Sequence, residues 1–289
     1  MDPIINIAYW YGLSESLKNP RLLRKLYFLE YTNELGKQIM GGTRKRELNR
    51  NEIAQIQKAK KDIKGDLKRW VEEIKKMLRK EIYVLTYRDK RYPIGLKNID
   101  DPPALLYARG NIALLNQKTF GIVGSRRCTT YGRCVANRFA RALANQGETI
   151  VSGLAYGIDA AAHQAALTVG GETIAVLGNG IYHEYPKENA ELQQCIGEKG
   201  LLLSEYPLYH TPKAYQFPER NRIISGISDR ILVVEATVKS GSLITAQFAL
   251  EQGKDVYAVP GDINRSTSAG CNRLIRDGAF VALSLEEIL

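Results

Sequence analysis

From Thr119 onward the chain repeats one pattern, a short apolar run followed by a helical stretch. The runs are Phe120–Val123, Thr149–Val151, Thr173–Leu177, Leu201–Leu203, Ile231–Val234 and Val256–Val259. Each is continuous rather than alternating, so both faces of the strand are buried, and helices between such strands imply a parallel sheet covered on both sides. Almost every run ends in a small-residue turn: Gly124-Ser125, Ser152-Gly153, Gly178-Asn179-Gly180 and Pro260-Gly261. In an open α/β sheet ligands bind at the carboxyl ends of the strands, so these turns define one candidate site.

Upstream the periodicity changes. Ile53, Ile56, Ile63, Leu67, Trp70, Ile74 and Met77 fall at helical spacing between Asn51 and Lys80, with Lys and Arg on the other faces. The stripe is expected to pack within an N-terminal helical domain containing Leu13, Leu17, Leu22, Leu23, Leu26 and Leu29, rather than on a membrane. At Glu81 the pattern switches: Ile82–Thr86 reads as a strand, and Tyr92-Pro93 and Asp101-Pro102-Pro103 punctuate an extended linker. The expected division is a basic helical (SAM-like) domain over 1–80 and an α/β domain over 81–289. A chain of 289 residues, 44% hydrophobic, can give each its own core.

Of the net charge of +10, residues 1–80 carry 19 Lys and Arg against 10 Asp and Glu, while residues 81–289 carry 22 against 21. From charge alone, the N-terminal excess fits a solvated basic surface and an electrostatic footprint for nucleic acid equally well. No apolar run is long enough to cross a bilayer, and Met1–Tyr11 lacks a basic flank followed by an apolar signal segment, so a soluble cytoplasmic protein is expected. Cys128, Cys134, Cys195 and Cys271 show no Cys-x-x-Cys or metal-finger spacing. Neither a disulfide framework nor a zinc site is implied.

The first turn, Gly121-Ile122-Val123-Gly124-Ser125-Arg126-Arg127, leads into a helix from about Tyr131. Glycines let backbone N–H groups point at an anion, the helix start adds positive dipole, and Arg supplies a fork of donors, which together favour phosphate over a purely structural turn. A dinucleotide site would need Gly-x-Gly-x-x-Gly and an acidic residue after the next strand; this chain has Gly-x-x-Gly and then Val151-Ser152-Gly153. The second cluster is Gln216-Phe217-Pro218-Glu219-Arg220-Asn221-Arg222. Pro218 can open a helix, Arg220 and Arg222 suit backbone phosphate, and Phe217 offers a stacking face, although a buried core role is the commoner one for Phe. The alternative for the arginines is pairing with Asp229, Glu219 or Glu235.

Ser240 and Ser242 are expected to cap the helix that follows, with a phosphate contact as an addition. Lys187, past the third strand, reads by itself as a solvated lysine. Asp159 and His163, at i and i+4, read as a charge-favoured pair near a helix start. No nucleophile adjoins them, and His183 and His210 lack metal-ligand spacing, so no catalytic centre is expected.

In order along the chain, Tyr92-Pro93, Asp101-Pro102-Pro103, Gly124-Ser125-Arg126, Ser152-Gly153-Leu154-Ala155-Tyr156-Gly157-Ile158-Asp159, Ser204-Glu205-Tyr206-Pro207, Phe217-Pro218-Glu219-Arg220-Asn221-Arg222-Ile223-Ile224-Ser225-Gly226, Glu235-Ala236, Ser240-Gly241-Ser242 and Val259-Pro260-Gly261 resemble the DNA-processing protein A (DprA/Smf) family. The resemblance implies an extended Rossmann-like, mostly parallel, doubly wound sheet with a small N-terminal helical domain. It implies a non-enzymatic protein without cofactor that binds and protects single-stranded DNA, helps load the RecA recombinase during natural transformation, and forms a homodimer. Carried over by position, Arg126 is the leading phosphate ligand, beside Gly124, Ser125, Arg220, Asn221 and Arg222, with Lys187, Lys213, Phe217, Ser240 and Ser242 around them. The stretch Asn272–Phe280 is expected to pair two copies through Leu274, Ile275 and Phe280.

Two departures stand out. Many family members continue into a winged-helix-like C-terminal domain that is not expected here, and the N-terminal segment resembles the family only loosely. The competing reading is a nucleotide-binding or phosphoribohydrolase-like Rossmann enzyme, whose hallmark Pro-Gly-Gly-x-Gly-Thr is not matched by Pro260-Gly261-Asp262.

Overall fold

A computed structural model describes residues 3–30 and 48–288. Among the described residues three helices come first: α1 (Pro3–Leu17), α2 (Pro20–Glu30) and the long α3 (Arg50–Leu78). α3 begins at a capping box, in which Asn49 accepts from the Glu52 N–H at 2.9 Å and Glu52 accepts from the Asn49 N–H at 2.9 Å. Of its stripe, Ile56, Ile63, Ile74 and Met77 are buried, Leu67 and Trp70 partly so, and Ile53 stays exposed.

Next come β1 (Ile82–Thr86), the short helix α4 (Ile94–Lys97), β2 (Leu105–Gly110), β3 (Thr119–Val123), α5 (Thr130–Asn145), β4 (Thr149–Ser152), α6 (Ile158–Thr168) and β5 (Thr173–Leu177). The remainder is α7 (Ala190–Lys199), β6 (Leu201–Ser204), α8 (Gln216–Ile227), β7 (Arg230–Val233), α9 (Ser242–Glu251), β8 (Asp255–Ala258), α10 (Ala269–Arg276) and β9 (Phe280–Val281). The nine strands among the described residues lie in one sheet of order β1-β2-β6-β5-β4-β3-β7-β8-β9. The strands from β6 to β9 run parallel; β2 pairs antiparallel with β6, and β1 with β2.

The six expected strands are present to within a residue at their ends. β2 and β9 are the differences. β9, at the end of the stretch expected to join two copies, pairs with β8. The segment after Pro102-Pro103 is a fully integrated strand rather than more linker, with the Tyr92 hydroxyl donating to the Pro103 carbonyl at 2.8 Å to hold the approach.

Strand side chains alternate between two apolar layers, as the two-residue period requires. Phe120, Ile122, Leu232 and Val234 face α5 and α6, whereas Val123, Ile231 and Val233 belong to the layer containing Ile223, Ile224, Ala246 and Ala249 of α8 and α9. The second layer is continuous with Leu13, Leu22 and Ile63 of the N-terminal helices. Polar contacts reinforce that continuity. Arg24 of α2 reaches Glu205 at 3.0 Å and Asp101 at 2.7 Å, and the Tyr11 and Tyr107 rings lie 6.3 Å apart. No helix among the described residues is long and apolar enough to cross a membrane.

Candidate functional site

After β3 the chain turns to β4 on one side, while β7 lies on the other, so the carboxyl ends of β3 and β7 flank the switch point of the sheet. The Ser125 N–H donates to the Glu235 carbonyl at 2.7 Å across that gap. Thr129 caps α5 by accepting from the Gly132 N–H at 3.1 Å, and donates its hydroxyl to Glu235 at 2.6 Å. The segment between is thereby pinned at both ends while Arg126 and Arg127 stay exposed.

Gly124, Ser125, Arg126, Phe217, Arg220, Asn221, Ser240 and Ser242, drawn from two separate turns and a helix, all line one open cavity of about 690 Å³. The parallel strands bring these sequence-distant motifs to the same end of the sheet.

The floor of the cavity is built around Arg220, which is buried and hydrogen-bonded to backbone carbonyls, Gly153 at 2.9 Å and Val176. Burial pulls its guanidinium down to about 10, against the pull of Asp159. Asp159 is pushed up by its own burial, and accepts from the Gly153 N–H at 3.2 Å and the Ala155 N–H at 3.3 Å. Gly153 fits between the two because it has no side chain: a Cβ there would lie 2.7 Å from the Arg220 guanidinium and 2.8 Å from the Asp159 carboxylate. Leu154, next along, has φ of +57°, a conformation disfavoured outside glycine. The expected Asp159–His163 pair does not form. Asp159 turns to the backbone N–H groups, and His163 Nδ1 instead meets the Thr173 hydroxyl at 2.7 Å. Burial pushes the His163 imidazole down to about 3.

At the mouth, Phe217 is half-buried rather than core. The Arg126 guanidinium lies 5.4 Å from its ring centroid and the Tyr185 ring 5.2 Å away. A smaller recess beside them is walled by Leu154, Tyr156, Gly178, Asn179 and Pro186. Cation, aromatic faces and open volume thus occupy one spot. Asn221 donates to the Gly241 carbonyl at 3.1 Å, fastening α8 to the start of α9. The serines there do not cap as expected. Gly241 is the N-cap residue, and the Ser240 and Ser242 hydroxyls bond each other at 2.8 Å.

Several expected site residues lie away from the cavity. Arg222 points to the opposite side of α8, where it is buried in a bidentate pair with Glu205 at 2.7 and 2.8 Å and donates to the Asp101 carbonyl at 2.9 Å. Of the anions weighed as its partners, none is Glu205; the sheet topology supplied that contact. Burial works against its charge, but Glu205 and Asp101 more than compensate and raise its pKa. Lys187 and Lys213 are exposed and line none of the strand-end cavities. Leu274 and Ile275 pack partly against their own chain's core, whereas Phe280, 5.3 Å from Tyr257, is exposed. Tyr156, Tyr185, Arg127, Thr237 and Thr267 line cavities without having been singled out from sequence. A tyrosine in a loop carries no local signal that separates it from ordinary surface. Among the described residues no group of three or more His, Cys, Asp or Glu is placed to hold a metal.

A profile of the family described as DNA recombination-mediator protein A matches residues 83–289. The chain is 45% identical over 208 residues to DNA processing protein DprA of Bacillus subtilis, a match spanning 72% of this chain and 70% of that protein. It is 48% identical over 199 residues to protein Smf of Escherichia coli, spanning 68% of this chain and 53% of that protein. The X-ray structure of DNA processing protein A from Streptococcus pneumoniae is similar with a TM-score of 0.76 at 38% identity, over 97% of this chain and 96% of that one. DNA processing protein A from Helicobacter pylori, described for its unique single-stranded DNA binding mode, has a TM-score of 0.66 at 32% identity, over 72% of this chain and 94% of that one.

Proposed function

The chain belongs to the DNA recombination-mediator protein A family, and on that premise we propose that it binds single-stranded DNA at the carboxyl ends of its parallel strands. The observation that carries this reading is the Arg126–Phe217 pair at 5.4 Å, a phosphate donor and a base platform side by side over an open cavity. Stacking on aromatic rings combined with backbone neutralisation is the way a single strand is held without reading its sequence. The Helicobacter pylori relative's single-stranded DNA binding mode supports the same reading.

In this proposal the Gly124-Ser125-Arg126 turn and the Ser240 and Ser242 hydroxyls receive phosphate. Arg220 and Asn221 fix the floor beneath them, and Arg222 holds α8 in place from the far side. Lys187 and Lys213 attract flanking phosphates from the exposed rim. The helical segment 1–80 is a basic unit attached to the DNA-binding unit 81–289. The protein acts in the cytoplasm without catalysing a reaction, protecting the strand and helping to load RecA. It works as a homodimer joined at the C-terminal edge, where Phe280 is exposed and Leu274 and Ile275 stand beside it.

Anisotropy of labelled oligo-dT, a duplex of equal length, and AMP-type nucleotides with base release followed in parallel tests the proposal. Preference for oligo-dT without base release is expected. Equal affinity for the duplex, or release of base, overturns it.

A further inference from the structure

A second concavity, of about 600 Å³, opens on the other side of the β3–α5 turn. It is lined by Arg126, Arg127 and Arg133 on one wall, and by the first two turns of α6 up to Gln164 on the other. It is continuous with the strand-end cavity, because Arg126 lines both, and with the recess beside Phe217, because Tyr156 lines that one too. The shared rim is rigid. Gly157 has φ of +77° and sits so close to the preceding turn that a Cβ would meet the Ser125 carbonyl at 2.3 Å.

The charge of this groove is one-sided. No carboxylate lines it, and among the described residues none of its three arginines forms a salt bridge; Arg133 instead lies against the Cys128 thiol. Glu188 accepts from the Tyr156 hydroxyl at the rim, and the buried Asp159, whose charge is felt by Arg126, lies on the strand-end side and is held by backbone N–H groups. Elsewhere in this chain a side chain such as Arg222, Arg91 or Arg230 is matched to a carboxylate. Exposed guanidiniums clustered without a counter-ion repel one another, and a polyanion relieves that repulsion.

We propose that this groove is a second phosphate subsite, which takes the backbone of the nucleotides flanking those held at Arg126 and Phe217, so that one strand passes over the β3–α5 turn from one cavity into the other. The inference rests on the single-stranded DNA reading. Its ligand is the phosphodiester backbone, held mainly by charge at Arg127 and Arg133, with Arg126 as the hinge between the two subsites. Bases are free to point outward here, because no aromatic ring other than Tyr156 lines the groove.

The test compares salt dependence of oligo-dT binding for the full chain and four variants. Each phosphate contact on a single strand contributes about 0.7 to the slope of log affinity against log salt. Arg127→Ala/Arg133→Ala is expected to make the slope shallower by about 1.4 and to weaken binding about tenfold at moderate salt. Arg127→Lys/Arg133→Lys, which keeps the charge, is expected to restore most of the slope. Arg138→Ala/Arg141→Ala removes equal charge from exposed positions of the same helix outside the groove, and is expected to bind with the wild-type slope. Gln164→Glu, an exposed change that places an anion in the groove, is expected to weaken binding without altering stability.

If the wild-type chain binds oligo-dT while the alanine pair matches it in slope and affinity, the subsite is overturned and the first reading stands. If both arginine pairs lower the slope alike, general surface charge is responsible and the subsite is likewise overturned. If the wild-type chain does not bind oligo-dT, the parent reading itself fails.

Discussion

Arg126 and Arg222 belong to motifs that read alike in the sequence, yet their surroundings are opposite. Arg126 stands exposed at the turn after β3, its guanidinium over the face of Phe217 and in no salt bridge among the described residues. Arg222 is buried on the far side of α8, with a bidentate carboxylate and a backbone carbonyl filling its donors. Arg220 is as deeply buried as Arg222 but on the cavity side, closing the floor while its donors are taken by Gly153 and Val176. An arginine whose donors are satisfied by its own chain has little left for a ligand. In the proposed reading the rim and the layer below it thus divide the labour between contact and support.

Arg222→Ala should produce the largest effect. Removing one partner of a buried ion pair costs about 3–5 kcal/mol, because Glu205 is left in the core with only Arg24. Denaturant unfolding should show that loss, while the molecules that fold keep nearly native oligo-dT affinity. Native stability with lost binding would move Arg222 from support to contact and dissolve the distinction. Arg126→Ala is the converse case. A charged hydrogen bond is worth about 1.5–3 kcal/mol, so oligo-dT affinity should drop about tenfold to a hundredfold. Unfolding should change by no more than about 0.5 kcal/mol. Arg126→Lys should not restore the affinity, since an ammonium cannot present the planar fork. Undiminished binding by the folded alanine variant would remove Arg126 from the site.

His163 sharpens the account of the buried layer through pH. Its imidazole stays neutral in the fold down to about 3, from an ordinary value of 6.5. Between those values the unfolded chain binds the extra proton, so stability rises with pH across that window and is lost on acidification. His163→Gln should flatten the dependence by up to about 1.4 kcal/mol per pH unit, read from urea unfolding at a series of pH values. An unchanged slope would mean that His163 does not titrate in the way its burial dictates. The smallest effect is expected at the N-terminal basic face. Lys58, Lys61 and Lys68 are exposed on α3, and no residue before Val123 lines the strand-end cavities. Replacing all three by Gln should leave the salt slope unchanged. A decrease of about 0.7 per lysine would assign them to phosphate instead.

The parallel strands from β3 to β8, unlike the two-residue β9, which is too short to show an apolar run, were legible because continuous apolar runs bounded by small residues have few other interpretations, and their carboxyl ends located the cavity. β2 was not, because the prolines before Ala104 mark a break in pairing and say nothing of the antiparallel partners beyond it. The site was legible as a set of motifs but not as a set of contacts. The spacing of Arg220 and Arg222 along α8 placed one toward Gly153 and the other toward Glu205, and only the neighbouring strands decide which is which. Ser240 and Ser242 show the same limit, since a serine near a helix start meets the usual capping rule until its neighbour offers a closer partner. Tyr156 and Tyr185 were invisible because their role arises from a wall assembled out of different loops.

The buried junction of Arg24, Glu205 and Arg222 has a consequence for how such chains can be recombined. Arg24 comes from the second helix, Glu205 from the end of β6 and Arg222 from α8, so three distant stretches must be inherited as a matched set. A chimera that took its first helices from a protein without an arginine at that place would leave Arg222 to face both Glu205 and Asp101, and the fault would be felt at the helix that carries Phe217. Swapping the front of the chain at residue 81 is therefore an edit to how firmly α8 is held, even though no swapped residue reaches the strand-end cavity.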